Sequence, residues 1–155
     1  MLTVSDRVSR GEAADGSGDL LAELLGDDGY EVERRVVPDE AGEIAAAIEE
    51  LAAGAAVVLT TGGTGVAPRD VTPEATATVV RRVVPGIAEA IRADSAAKTP
   101  HALLSRGIAG IVGRALVVNL PGSPGGCRDG YAILRPVLGH AVKLLADEPT
   151  AHRQT

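Results

Sequence analysis

The chain has 155 residues, a formal net charge of -6 and one cysteine, Cys127. That length predicts one domain; a lone cysteine excludes an intrachain disulfide and a multi-cysteine zinc site; and the acidic balance argues against binding nucleic acid by phosphate neutralisation. Tyr30 and Tyr131 are the only aromatic residues, so no base-stacking platform is available and the core must be Val, Leu, Ile and Ala.

Leu2-Thr3-Val4 reads as the end of a strand whose beginning is missing. Ser17 is the expected N-cap of a helix with Leu20, Leu21, Leu24 and Leu25 on one face, closed by Gly26 and Gly29. Tyr30 to Val37 reads as a strand ended by Pro38-Asp39-Glu40. Ile44, Ile48 and Leu51 mark the buried face of a second helix that stops at Gly54. Ala55 to Thr60 is a continuous apolar run, as in a parallel strand buried on both faces. After the loop from Thr61 to Val71, Thr72-Pro73-Glu74 predicts a helix start, with Thr as cap, running to about Val84. Pro85-Gly86 breaks it, and a further helix runs from Ile87 to about Ala97. Ile108 to Val112 and Ala115 to Leu120 predict a strand pair around Gly113. Pro121 to Gly126 is a second glycine-rich loop, and a last helix reaches about Ala146, with a kink expected at Pro136.

Strands alternating with helices indicate an α/β fold with a mainly parallel sheet. One domain over 1–148 is expected, with a flexible tail over 149–155. No stretch reaches the roughly 18 apolar residues of a membrane span, and no secretory signal is readable at the N-terminus. A cytoplasmic protein without a membrane partner is expected.

Ligands of open α/β sheets bind beyond the carboxyl ends of the strands. Ser5-Asp6, Pro38-Asp39-Glu40, Gly62-Gly63-Thr64-Gly65 and Pro121-Gly122-Ser123 each follow a predicted strand. All four are therefore expected on one edge, around a shared pocket. The Gly62 loop lacks the Lys-Ser/Thr of a P-loop and carries Pro68 where a dinucleotide fingerprint needs Gly or Ala. It still exposes backbone N–H groups to a ligand. Ser123-Pro124 opens a helix and offers a second anion site. Asp39 and Asp70 lie in strand-end loops, where two converging carboxylates would hold Mg²⁺ beside substrate phosphates; the plainer alternative pairs Asp70 with Arg69 or with the next helix start. His101, His140 and His152 have no ligand spacing and read as surface or structural. Cys127 lies near the start of the last helix, a position that lowers a thiol pKa, but without a His partner at a recognisable spacing it reads as a plain small residue, and Arg81-Arg82 reads as a solvated helix face.

Ser5-Asp6-Arg7, Pro38-Asp39-Glu40, Thr61 to Thr76 (TGGTGVAPRDVTPEAT) and Leu120 to Pro124 (LPGSP) together resemble the MogA/MoaB family of molybdenum-cofactor biosynthesis proteins. The likeness runs in order along nearly the whole chain. It implies a three-layer α/β/α molybdopterin-binding fold and a family activity, transfer of AMP from Mg-ATP to the terminal phosphate of molybdopterin with release of pyrophosphate. It also implies a downstream molybdenum-insertion enzyme as partner, and a homotrimer, or a hexamer in one branch. The resemblance makes Asp39 and Asp70 the functional aspartates and metal ligands, and puts Gly62, Gly63, Thr64, Gly65, Pro121, Gly122 and Ser123 in the pocket, with Ser5 and Asp6 beside them. Ser95, and Ser105 in its Leu-Ser-Arg motif, match serines that hold the pterin. Against the family the first strand is short, through a misassigned start or a genuinely weak sheet edge. The rival readings are a non-catalytic molybdopterin-binding paralogue and a nucleotide-sensing or scaffold protein. Whether the pathway serves molybdenum or tungsten is open at this stage.

Overall fold

A computed structural model describes residues 1–146. Among them, six strands form one sheet: β1 (Leu2–Val4), β2 (Arg35–Val37), β3 (Val57–Thr61), β4 (Arg82–Val83), β5 (Ala109–Val112) and β6 (Ala115–Leu120), in the order β2-β1-β3-β6-β5-β4. The pairs β1/β2, β1/β3 and β3/β6 are parallel, while β5 runs antiparallel to both β4 and β6. The helices are α1 (Asp6–Ser9), α2 (Gly16–Asp27), α3 (Ala41–Gly54), α4 (Thr72–Val79), α5 (Pro85–Lys98) and α6 (Pro124–Leu145), with a 3₁₀ turn at Pro100–Leu104.

The two-residue period of the strands produces the layers. In β3, Val58 packs with Ile44, Ile48 and Leu51 of α3 and with Ala75 and Val79 of α4. Its neighbour Leu59 packs on the opposite face with Leu21 and Leu25 of α2, Ile91 of α5 and Leu134 and Leu138 of α6. Alternate residues of β6 divide in the same way, Val117 to the first face and Leu116, Val118 and Leu120 to the second. Each such side chain, fully buried, contributes about 1.5–3 kcal/mol relative to exposure. The expected α/β/α sandwich with a mainly parallel sheet is what forms. Inside it, buried Asn119 donates to the Thr60 and Thr76 hydroxyls at 3.0 Å each and accepts from the Ile108 amide.

Several boundaries differ from expectation. The cap of α2 is Asp15, whose carboxylate accepts from the Gly18 amide; Ser17 lies inside the helix and is buried. The strand expected from Tyr30 forms only over Arg35–Val37, where β1 offers a ladder partner. The helix beginning at Thr72 ends at Val79, because Arg82 and Val83 pair with β5 instead. Arg82 is therefore on an edge strand and not on a helix face. Thr72 is the first residue of α4 rather than its cap, and its hydroxyl donates to the Gly62 carbonyl at 2.9 Å. Pro85 and Gly86 form the first turn of α5. The helix α6 continues through Pro136. The short strand β1 lies inside the sheet, between β2 and β3, so it weakens no edge. The expected tail and His152 fall outside the described residues.

Candidate active site

Four parallel strands end on the same edge, and their loops meet there. Gly62 follows β3 and has φ +97°; a Cβ placed on it would stand 2.2 Å from the Val4 carbonyl oxygen at the end of β1. A Cβ on Gly122, after β6, would stand 3.1 Å from the Gly62 Cα. The Thr61 hydroxyl donates to the Pro121 carbonyl at 2.9 Å. Any side chain at these glycines would push the loops apart, which explains why the two glycine runs follow β3 and β6.

The β1 and β2 loops are braced reciprocally. The Asp6 amide donates to the Asp39 carboxylate at 2.8 Å, and the Asp39 amide to the Asp6 carboxylate at 3.1 Å. Arg69 then grips both Asp6 oxygens, at 3.0 and 2.9 Å, and reaches Glu40 at 2.9 Å. Arg69 is thus the partner of Asp6 and Glu40, not of Asp70. The Asp70 carboxylate accepts from the Ala67 amide at 2.9 Å within its own loop. On the other side Arg106 donates from its amide to the Thr64 carbonyl at 2.9 Å and from Nε to the Gly65 carbonyl at 2.7 Å. Its remaining nitrogens reach the Asp70 carbonyl and the Glu74 carboxylate.

Two adjoining clefts result. One, of about 580 Å³, is lined by Thr64, Gly65, Ser95, Ser105, Pro121 and Ser123 among others. The second, of about 500 Å³, is lined by Ser5, Arg7, Asp15, Asp39 and Gly62 among others. Gly63, Asp70 and Gly122 line both. The four loops therefore gather on one edge as expected, but around two clefts with a common wall and not one pocket. Asp6 lines neither cleft and acts as a brace. A third cleft, of about 510 Å³, lies among Met1, Tyr30, Glu33, Gly54 and Val142 and holds none of the expected site residues.

The electrostatics distinguish the acids. The Arg69 guanidinium holds the Asp6 carboxyl below its ordinary range, helped by the Asp39 amide. Burial pushes the Asp39 carboxyl above its ordinary range; the Asp6 amide opposes this, and the charges of Asp6 and Asp70 add to it. A carboxylate crowded by burial and by two like charges favours a cation. The residues available to a cation are hard carboxylate oxygens from two loops, which suit Mg²⁺, and no group of three or more His, Cys, Asp or Glu is placed to hold a metal ion by itself among the described residues. Mg²⁺ takes one or two carboxylates and fills its shell with phosphates and water. In the other cleft the Ser95 hydroxyl is buried and has no hydrogen-bond partner among the described residues. Such a group costs about 1–3 kcal/mol and calls for a ligand. The Ser123 hydroxyl caps α6 by accepting from the Gly126 amide at 3.1 Å. Cys127 is fully buried against the Thr61 hydroxyl and the Pro121 carbonyl, and burial pushes its thiol up, so it is no nucleophile.

Sequence reading gave no role to Asp15 or Arg106, and offered Arg69 only as a partner of Asp70. The signal for Asp15 was present, an Asp three residues before the Gly18 amide it caps. Arg69 and Arg106 stand inside the matched motifs, but their acceptors lie on other loops.

Comparisons with known proteins bear on this edge. The profile of the "Probable molybdopterin binding domain" matches residues 1–140. The chain is 39% identical over 163 residues to the molybdenum cofactor synthesis protein cinnamon of Drosophila melanogaster, covering 100% of this chain and 26% of that protein. It is 37% identical over 150 residues to a molybdopterin adenylyltransferase of Helicobacter pylori, covering 94% of this chain and 85% of the relative. The solved structure of the molybdopterin biosynthesis enzyme MoaB of Thermus thermophilus superposes with a TM-score of 0.88 at 46% identity, covering 96% of this chain and 95% of that one. The chain spans from 22% to 47% of the length of the larger curated relatives it matches.

Proposed function

The chain belongs to the MogA/MoaB family of molybdenum-cofactor biosynthesis proteins, and from that premise we propose that it is a molybdopterin adenylyltransferase. One observation carries the reading: two clefts share a wall that contains Asp70 and backbone from two glycine loops. A transfer between two bound anions needs such an arrangement, with each substrate in its own site and the reacting atoms at the junction.

In this reading molybdopterin occupies the Ser95–Ser105 cleft and the nucleotide reaches the junction from the Asp39 side. An oxygen of the terminal pterin phosphate attacks the α-phosphorus of ATP in line. The new P–O bond forms, the bond to the bridging oxygen breaks, and pyrophosphate leaves with the electron pair. The chain's part is positioning and charge stabilisation. Amides of Gly63, Thr64 and Gly65 and of Gly122 and Ser123 hold phosphate oxygens, the Gly62 amide being spent on the Leu120 carbonyl, and Ser95 and Ser105 orient the pterin. Asp39 and Asp70 would hold Mg²⁺, which when bound neutralises phosphate charge. Thr64 is buried and Arg106 fixes its carbonyl, which sets the loop before substrate arrives. A homotrimer, a downstream molybdenum-insertion partner and a cytoplasmic location belong to the same proposal. No helix among the described residues is long and apolar enough to cross a membrane.

Two variants test the division of labour. Asp70→Asn is expected to lower turnover by about a hundredfold while leaving molybdopterin affinity within about threefold. Ser95→Ala is expected to do the reverse, weakening the pterin by about tenfold through a lost hydrogen bond. Wild-type turnover in Asp70→Asn would remove that residue from the chemistry.

A further inference from the structure

We infer that Arg7 binds the polyphosphate end of the nucleotide and receives the departing pyrophosphate. The inference rests on the nucleotidyl-transfer reading above. It starts from the cations around the two clefts. Arg69 is committed to Asp6 and Glu40, and Arg106 to Glu74 and two carbonyls. Arg34 is paired with Asp15 and Asp19. Lys98 sits between Asp94 and Asp129, and Arg92 donates to the Gly107 carbonyl at 2.7 Å. Arg7 lines the Asp39 cleft and is exposed, and its side chain makes no hydrogen bond or ion pair among the described residues, its backbone carbonyl alone accepting from the Glu12 amide. It is the one arginine or lysine lining either cleft, among the described residues, whose side chain has neither a hydrogen bond nor an ion pair; Arg92 spends its guanidinium on a carbonyl and Lys98 its ammonium on two carboxylates.

Its surroundings make that unusual. The other charged side chains lining the same cleft are Asp15, Asp39 and Asp70. A single uncommitted guanidinium among three carboxylates has every reason to pair, and it does not. Its backbone is nonetheless fixed. Arg7 follows Asp6, whose amide is held by the Asp39 carboxylate, and α1 is capped by the Ser5 hydroxyl accepting from the Val8 amide. The side chain thus hangs from a rigid anchor with nothing to break before it meets an anion. A guanidinium presents a planar fork that matches phosphate oxygens two at a time.

The direction of the reaction fixes which phosphates these are. The attacking oxygen comes from the Ser95 cleft, and Asp70, on the wall shared by both clefts, marks the junction where the α-phosphorus reacts. In-line displacement sends the leaving group away from the attacker. Arg7 lines only the cleft on that far side. It therefore contacts the β- and γ-phosphates, where negative charge collects as the bond to the α-phosphorus breaks.

Titration calorimetry with Mg²⁺ and, separately, ATP, AMP and pyrophosphate tests this on the wild-type chain, Arg7→Ala and Arg7→Lys. Arg7→Ala is expected to weaken ATP and pyrophosphate by about tenfold or more, a charge-assisted contact, and AMP by less than about twofold. Arg7→Lys should recover part of that loss, because it restores the charge without the fork. Molybdopterin affinity and the melting temperature should not move in either variant. If wild type binds ATP and Arg7→Ala binds ATP equally well, or loses ATP and AMP in parallel, the assignment is wrong and the adenylyltransferase reading stands. Arg7-dependent pyrophosphate binding without adenylyl transfer would uphold the assignment and overturn that reading. A wild-type chain that binds neither ATP nor pyrophosphate would overturn both.

Discussion

At Gly62 the backbone is left-handed and a Cβ would meet the Val4 carbonyl oxygen at 2.2 Å, with no flexible neighbour to give way. Gly62→Ala is therefore expected to cost at least about 2 kcal/mol, read from urea denaturation; an unchanged midpoint would mean that β1 and β3 separate without penalty there. Arg106 acts differently, since it touches no substrate in the proposed scheme and instead pins the carbonyls of Thr64, Gly65 and Asp70. Arg106→Lys keeps the charge and loses the fork, so kcat should fall by about tenfold or more while molybdopterin affinity stays within about threefold. Steady-state kinetics beside a pterin titration read that split, and equal losses in both would make Arg106 a merely structural residue. The placement of Asp39 and Asp70 at the clefts was legible because acids in strand-end loops announce themselves by position. The roles of Arg69 and Arg106 were not. Arg69 finds Asp6 at a separation of 63 residues, and Arg106 finds the Asp70 carbonyl at 36, and no local pattern encodes a partner so distant.

Among the elements, α2 shows how a cap can do more than start a helix. Asp15 accepts from the Gly18 amide, from the Thr3 hydroxyl at 2.7 Å and from Arg34 at 3.2 Å, so it ties α2 to β1. Asp15→Ala is expected to cost about 1–2 kcal/mol in denaturant unfolding, more than Ser17→Ala. The buried start of α6 carries a pH signature. The Cys127 thiol is held protonated by burial, above the ordinary value of 9.0. A raised pKa gives stability that is complete below the unfolded value and lost as pH rises through the folded one. Native protein should thus be inert to a thiol reagent at pH 8 and lose stability above about pH 9. Rapid labelling under native conditions would contradict the packing of α6 on the sheet. Helices α3 and α6 were legible from apolar spacing and their glycine and proline boundaries. The strand β4 was not, because Val80 to Val84 continue an apolar pattern that suits either structure. Pairing decides it: the Arg81 amide reaches the Ile111 carbonyl at 2.9 Å and the Val84 amide the Ala109 carbonyl at 2.8 Å.

Across the whole molecule, the apolar runs of β3 and β6 foretold a sheet covered on both faces, and the loops after four parallel strands foretold the edge on which the two clefts lie. The split into two clefts was not foretold, because it depends on how Gly63, Asp70 and Gly122 stand between them. Leu103 and Leu104 beside the Ser95 cleft are 71% and 51% exposed. Under the proposed trimer, sedimentation should give three times the chain mass; a monomer at micromolar concentration would remove that part of the proposal. The central claim is that the two clefts serve one transfer. Purified protein would be incubated with molybdopterin, ATP and Mg²⁺, and pyrophosphate and adenylylated pterin followed by chromatography. The two products should appear in equal amounts, and neither should form when ATP or molybdopterin is omitted. Saturable molybdopterin binding with no pyrophosphate would contradict the transfer and make the chain a pterin-binding paralogue, and ATP binding indifferent to the pterin would make it a nucleotide-binding protein.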